Sequence, residues 1–493
     1  MNAGRYTRRW LLGALASGAA GSALAGAPAV SLRPHPRGLG TVPVPRPTAR
    51  LLAETAALPG DISFVVADVR SGEVIESLNP VLRQPPASTA KVLTALYALD
   101  TLGAGHRFAT RLLAGGPVTR GRLQGDLILA GGGDPTLDTD ALATLARKLR
   151  EAGVTEVTGR FLLHLDTLPL IPQIDSEQPP HVGYNPAVAG LNLNYNRVHF
   201  EWARSEGGYD VTLDARSDAF SPRVSTSRMQ VVDRRAPIYT YRRGEGVDEW
   251  TVARAALGGG GARWLPVRRP DLYAAEVFQV LARSNGIVLD RAEVLDAPLS
   301  GAEIARVESA PLQAILREML LYSTNLTAEV VGLTASAARG PVPSSLAASA
   351  ARMNDWIGTG LGGRQPALVD HSGLGGASRI AAADMVAALV RVGRSAPLAP
   401  LLKSVPVEAD VPMSVVAKTG TLNFVSALAG YLTCPDGREL AFAILTSDLD
   451  RRESLSMEER ERPRGGRAWS AASRGLQRNL LANWGARLGD RSG

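Results

Sequence analysis

Ser88-Thr89-Ala90-Lys91 sets a hydroxyl and an amine three residues apart. On a helix, residues so spaced share a face. A serine hydroxyl is a weak nucleophile until a base removes its proton. Lysine can be that base where its surroundings disfavour the charged form, whereas arginine keeps its proton in proteins. Of 54 basic residues only Lys91, Lys148, Lys403 and Lys418 are lysines. Arginine supplies generic positive charge in this chain, so the lysines are candidates for work arginine cannot do. By composition such a Ser-x-x-Lys pair arises by chance about a quarter of the time. Alone, it also fits an N-capping serine beside a solvated lysine.

Two further clusters carry polar chemistry. Ser323-Thr324-Asn325 falls at a break between two helical stretches. By itself it reads equally well as a helix-capping turn. Lys418-Thr419-Gly420-Thr421 ends an apolar run with the character of a strand. With so few lysines, Lys-Thr-Gly is expected in only about one such chain in fifty. The plain alternative is a strand-end turn with an exposed lysine. Gly420 leaves room for another backbone, such as a substrate's, to approach closely.

These clusters must be brought together by elements far apart in the chain. Residues 62–79 predict two short strands around a turn. Pro85 and Pro86 precede an apolar helix from about Ser88 to Leu102, with Ser88 near its N-terminus. From about 107 to 290 the texture changes to short strands and glycine-rich turns. The runs GLNLNYNRVHFEW, YDVTLDA and MQVVDRR are read as strands, with helices near 138–152 and 271–285. Helical spacing returns after 302, with a break around Tyr322-Ser323, and AAADMVAALVRVG reads as another helix. Three strand-like runs follow, SVVAKTG, VSALAGYLT and ELAFAILTS, then an amphipathic helix over roughly 469–486. Strands near both chain ends would pair into one antiparallel sheet covered by helices, an α/β sandwich interrupted by one or two β-rich domains.

The chain has 493 residues, too many for one ordinary domain. Hydrophobic content of 45% and charged content of 20% exclude a disordered chain. The net charge of +7 fits solubility and leaves room for attraction to an acidic polymer or for peripheral membrane contact. No nucleic-acid-binding motif is present. Arg5, Arg8 and Arg9 precede an apolar stretch from Trp10 to Leu24 and small residues up to Ala27. That is the pattern of a secretory signal over 1–27, and it also resembles a twin-arginine signal. Residues 28–47, rich in proline and arginine, read as a linker. The lone Cys434 permits no internal disulfide and reads as a buried packing thiol. His35, His106, His164, His181, His199 and His371 show no metal-ligand spacing. Asp134, in a Gly-Asp-Pro setting, reads as a turn former.

In this order, the three clusters resemble the S-x-x-K, S-x-N and K-T-G set of penicillin-binding proteins and serine β-lactamases. The interval between the first two, together with GDLILAGGGDPTL (125–137) and DHSGLGGASRI (370–380), resembles class C low-molecular-mass penicillin-binding proteins, which are D-alanyl-D-alanine carboxypeptidase/endopeptidases. The resemblance spans about residues 50 to 485. It implies a serine β-lactamase/transpeptidase-like domain over 48–106 and 291–490, with β-rich domains inserted over 107–290. It implies Ser88 as nucleophile and Lys91 as its base, with Lys418 and the positive end of the Ser88 helix disfavouring the lysine charge. Ser323 would relay a proton to the leaving amine, and Asn325 would hold the substrate amide and Lys91. Lys418, Thr419 and Thr421 would grip a terminal carboxylate, with Gly420 between them. Backbone N–H groups of Ser88 and Thr421 would form an oxyanion hole. Peptidoglycan stem peptides would be the substrates in the periplasm, and β-lactam antibiotics would acylate Ser88. No metal or other cofactor is implied. The stretch Gly183-Tyr184-Asn185-Pro186 lacks the acidic residue that some members place there. A β-lactamase or esterase on the same scaffold, a non-catalytic wall-binding protein, or an interaction scaffold are the competing readings.

Overall fold

The computed structural model describes residues 52–361, 364, 366–393, 398–409 and 411–488. The expected signal over 1–27 and linker over 28–47 lie outside the described residues. Among those residues, no helix is long and apolar enough to cross a membrane.

β1 (Asp61–Asp68) and β2 (Val74–Leu78) pair antiparallel, and a buried turn at Ala87–Thr89 leads into α1 (Ala90–Leu102). Every residue of α1 from Ala90 to Ala98 is buried, so this helix is apolar all round because it has neighbours all round. The chain then leaves for a region of separate sheets. β3 (Ala109–Ala114), β4 (Leu127–Ala130) and α2 (Thr139–Glu151) come first. The Asp138 side chain caps α2 by accepting the Ala141 N–H at 2.7 Å. β5 (Phe161–His164), β6 (Arg197–Ser205) and β7 (Gly208–Asp214) follow. β8 (Ser227–Val232), β9 (Tyr239–Arg243), β10 (Asp248–Ala253), β11 (Gly260–Pro266) and α3 (Pro270–Ser284) complete the second part. Three three-stranded sheets lie within this region: β7-β6-β11, β8-β10-β9, and one of two-residue strands at Val118–Thr119, Arg122–Leu123 and Glu156–Val157. A five-stranded sheet takes in β3, β4 and β5 together with β12 (Glu293–Val294) and β13 (Ala302–Glu308), so it runs past residue 290. A large apolar core, from Leu112 to Ala305, serves most of the region, and a smaller cluster of Leu113, Ile128, Ala130 and Leu162 lies on the other face of the five-stranded sheet.

The run from Gly190 was expected to be a strand, but pairing begins only at Arg197. Asn194, Tyr195 and Asn196 have φ of +50°, +57° and +50°. Asparagine tolerates that conformation and satisfies the backbone with its side chain. Asn196 does so, accepting from the Leu193 N–H at 3.0 Å and donating to the Ala187 carbonyl at 2.9 Å.

The return segment begins with α4 (Leu312–Tyr322) and α5 (Asn325–Ala338) on either side of the expected break. α6 (Leu346–Gly360), capped by Ser345, was not foreseen, and α7 (Ala382–Gly393) was. β14 (Lys403–Ser404), β15 (Ser414–Leu422), β16 (Val425–Thr433) and β17 (Glu439–Ser447) precede α8 (Gly466–Leu488). Strands from both chain ends form one antiparallel sheet in the order β14-β15-β16-β17-β1-β2. Its two faces alternate along each strand, as pleating requires. Val65, Ala67, Ala427, Ala429 and Ala443 meet α1 and the helices around it. Phe64, Val66, Leu428, Phe442 and Ile444 meet α8. Small residues are prominent on the first face, where α7 lies against β1 and β17.

Trp484 fixes α8 to the second face. Its ring meets Phe64 edge-on at 5.6 Å, and its indole N–H donates to buried Glu76 at 2.8 Å. Trp484→Ala is expected to cost roughly 3–5 kcal/mol, read as a lower urea midpoint. Trp484→Phe, which keeps an aromatic ring but removes the donor and some buried volume, should cost less, about 1–3 kcal/mol.

Candidate active site

The start of α1, the break between α4 and α5, and the strand β15 converge. Ala87, just before the serine, holds φ +46°, and Gly373 packs against it with φ +73°. A Cβ on Gly373 would lie 1.9 Å from the Ala87 carbonyl oxygen, so only glycine fits. Neither helical element is capped by its own side chain, so Ser88 is not a capping residue. Its Oγ instead lies 3.1 Å from Lys91 Nζ. Ser88 is partly exposed, whereas Lys91 is wholly buried.

Lys91 Nζ has two more partners, Asn325 Oδ1 at 2.7 Å and the Ser372 carbonyl at 2.7 Å. Both are obligate acceptors. A neutral amine has two hydrogens and one lone pair. Spending the hydrogens on Asn325 and Ser372 leaves the lone pair for the Ser88 hydroxyl. Burial, and after it the Lys418 ammonium, hold Lys91 down to about 7, while Glu329 and Asp370 pull it upward. The second-charge effect was expected from the sequence; the larger effect of burial was not.

Ser323 ends α4 with φ +61°, a left-handed position that costs a non-glycine residue of order 1–3 kcal/mol. That turn brings Ser323 Oγ within 3.0 Å of Lys418 Nζ, which also donates to the Thr419 carbonyl at 2.8 Å. Burial, and then Lys403, lower Lys418 to about 8. Lys418 and Gly420 pair with Ala429 and Ala427, so they face α1. Thr419 and Thr421 lie on the other side of the pleat, exposed along the strand. β14 pairs with β15 only at Ala417 and Val416, so among the described residues no strand covers that edge from Lys418 to Leu422. A Cβ on Gly420 would meet the Pro86 carbonyl oxygen at 2.8 Å and the Ser88 nitrogen at 3.0 Å. The strand and the helix start touch there because the residue has no side chain.

The β-rich region also reaches the site. Asn325 Nδ2 donates to the Tyr184 carbonyl at 2.9 Å, so each end of that amide has a fixed partner. An open cleft of about 1480 Å³ runs from Ser88, Ser323 and Thr421 past Tyr184 towards Arg379 and Arg452. Glu177 and Arg460 face each other at 3.2 Å, and His181 and Glu461 at 3.0 Å, across its far wall. Tyr184 was singled out in the sequence, but a backbone carbonyl has no sequence signature. Glu329, Asp370 and Ser372 were missed as site residues, although two of them stand inside the stretch DHSGLGGASRI. Asp134 accepts from the Thr136 N–H and hydroxyl, the expected turn role. His199, Glu201 and Asp214 cluster elsewhere, and Arg216 already bridges both carboxylates at 3.0 Å each. Cys434 is buried.

Residues 48–462 match the model of the D-Ala-D-Ala carboxypeptidase 3 (S13) family. The chain is 30% identical to a D-alanyl-D-alanine carboxypeptidase of Actinomadura sp. (strain R39), over 80% of this chain and 79% of that one. It is 25% identical to D-alanyl-D-alanine carboxypeptidase DacB of Haemophilus influenzae, over 79% and 86%. The solved structure of penicillin binding protein 4 from that organism superposes with a TM-score of 0.69 at 22% identity, covering 88% of this chain and 99% of the other.

Two substitutions test this geometry. Lys91→Arg keeps the positive charge but cannot present a lone pair, so acylation of Ser88 by a reactive ester or lactam should fall at least ~100-fold. Gly420→Ala should push the strand from the helix start, slow acylation by about 100-fold and cost about 1–3 kcal/mol of stability, read as a lower melting temperature.

Proposed function

The chain belongs to the D-Ala-D-Ala carboxypeptidase 3 (S13) family, and we propose that it is a serine DD-peptidase that works through an acyl-enzyme on Ser88. The observation that carries this reading is the Lys91 amine, buried, with two fixed acceptors and Ser88 as its third partner. Ser88 Oγ attacks the carbonyl carbon of the penultimate D-alanine as its proton passes to Lys91. The oxyanion forms beside the Ser88 and Thr421 N–H groups. The C–N bond then breaks, and the departing nitrogen takes a proton through Ser323 from the Lys91–Lys418 pair. Water attacks the resulting ester, giving its proton to Lys91, and Ser88 is released.

Substrate contacts follow from the strand. A terminal carboxylate lies along the open edge of β15, met by the Thr419 and Thr421 hydroxyls from one side of the pleat and by Lys418 from the other. Gly420 lets the peptide approach. The substrates are D-Ala-D-Ala termini or D-alanyl cross-bridges of peptidoglycan stem peptides. Arg379 and Arg452 in the cleft favour an anionic peptide. β-Lactams mimic the scissile amide and acylate Ser88; the Haemophilus protein has been seen complexed with one. The segments 48–106 and 291–490 belong to the catalytic domain, except that the inserted β-rich part reaches β13. Catalysis takes place in the periplasm, a reading supported by the N-terminal pattern. A β-lactamase on this scaffold would need a group that activates water for rapid deacylation.

Incubation with benzylpenicillin followed by intact mass and peptide mapping tests this function. One adduct on the peptide carrying Ser88, stable for many minutes and absent from Ser88→Ala, is expected. No adduct would end the proposal, and release within seconds would favour the β-lactamase reading. Hydrolysis of a D-Ala-D-Ala peptide should follow a bell-shaped pH profile. Activity rises through about 7 as Lys91 loses its proton and falls above about 8 as Lys418 loses the charge that holds the carboxylate.

A further inference from the structure

Glu329 stands four residues after Asn325 on α5, hence on the same helix face, and is completely buried. Its Oε2 accepts the His371 N–H at 3.0 Å and its Oε1 accepts the Ser372 N–H at 2.8 Å. Asp370, also buried, accepts the Gly373 and Gly375 N–H groups at 2.8 and 2.5 Å. The peptide between Ser372 and Gly373 is therefore gripped at both ends, by Asp370 at its N–H and by Lys91 at its carbonyl. One face of α5 thus sets both acceptors of the lysine, Asn325 directly and the Ser372 carbonyl through the loop that Glu329 clamps.

Resting on the function above, we propose that Glu329 is a positioning residue for acylation: its carboxylate locks the Ser372 carbonyl as the second acceptor of Lys91, which aims the lysine lone pair at Ser88. A loop anchor alone would not call for a charge. Neutral groups can satisfy backbone N–H donors, and a buried carboxylate beside a second one is costly to desolvate. The charge is useful here because Lys91 is pushed the other way by burial and Lys418. Glu329 and Asp370 oppose that push, while burial and then Asp370 raise Glu329 itself to about 8, so the carboxyl and the amine titrate as a pair. The charged groups facing this centre are Lys91 from α1, Lys418 from β15, Asp370 from the loop and, acting on Asp370, Asp175 from the β-rich region. The ring of His371 is turned away, packed against Gly332 and bonded to Ser349, and burial keeps it neutral with a value of about 3.

The test is the pH dependence of benzylpenicillin acylation in full-length protein, with wild type shown first to form the Ser88 adduct. Absence of that adduct in wild type would count against the proposed function; the outcomes below concern Glu329 alone. Glu329→Gln should acylate roughly 10- to 100-fold more slowly on the pH plateau. Its acid limb should move down by about one pH unit, because a negative charge near Lys91 has been removed. A plateau rate within twofold of wild type would overturn the proposal. So would a slower rate with the acid limb unmoved, the signature of a purely structural anchor. Glu329→Asp, which keeps the charge and shortens the reach, carries the test if Glu329→Gln does not fold. It should lose rate with the acid limb in the wild-type position, and wild-type rate in it would likewise overturn the proposal.

Discussion

A lysine amine with no access to solvent and three hydrogen-bond partners is the constraint around which this molecule is built. Taking an ammonium out of water costs several kcal/mol unless it is well paired. The surroundings of Lys91 pair it incompletely, so its charge is poised rather than secured. That poise requires a dry site, which explains why α1 is apolar on every side. It also requires partners that cannot drift, and these come from α5 and the loop after α6. Such a loop can be rigid only because its N–H groups end on buried carboxylates.

The sheet solves a different problem. It joins strands from both ends of the chain, so the strands that lead to the Ser88 helix and the strand that carries Lys418 belong to one continuous hydrogen-bonded ladder. Alanines at 427, 429 and 443 line the face on which α7 lies, while larger residues on the reverse face pack under α8. Ala87 and Ser323, two of the left-handed non-glycine residues, stand where the chain must turn a side chain into the cleft. These are positions where sound local preferences yield to the needs of the site.

How far the sequence could be read depends on the kind of atom involved. Ser88, Lys91, Ser323, Asn325 and Lys418 were legible because reactive side chains recur at short spacings and lysine is scarce. The sheet was legible because its strands alternate or are solidly apolar, and the break at Ser323 because helical spacing slips there. Glu329 was not, since its partners are backbone N–H groups 42 and 43 residues away and it looks like one acid in an ordinary helix. The turn at Asn194–Asn196 was mistaken for strand because its side chains replace the ladder with bonds of their own. Residues in α6 were passed over because small and polar types blur its apolar stripe.

The bond from Asn325 to the Tyr184 carbonyl has a consequence for how the chain can be divided. An asparagine amide is nearly symmetric in shape, and which end is oxygen depends on what surrounds it. With Tyr184 present, the nitrogen is drawn outward and the oxygen turned to the lysine. The part of the chain that carries Ser88, Lys91 and Lys418, taken without the β-rich part, would keep those side chains and leave that amide free to rotate half a turn, offering the lysine a donor in place of an acceptor. The two parts are thus joined by the orientation of a single side chain as well as by the polypeptide.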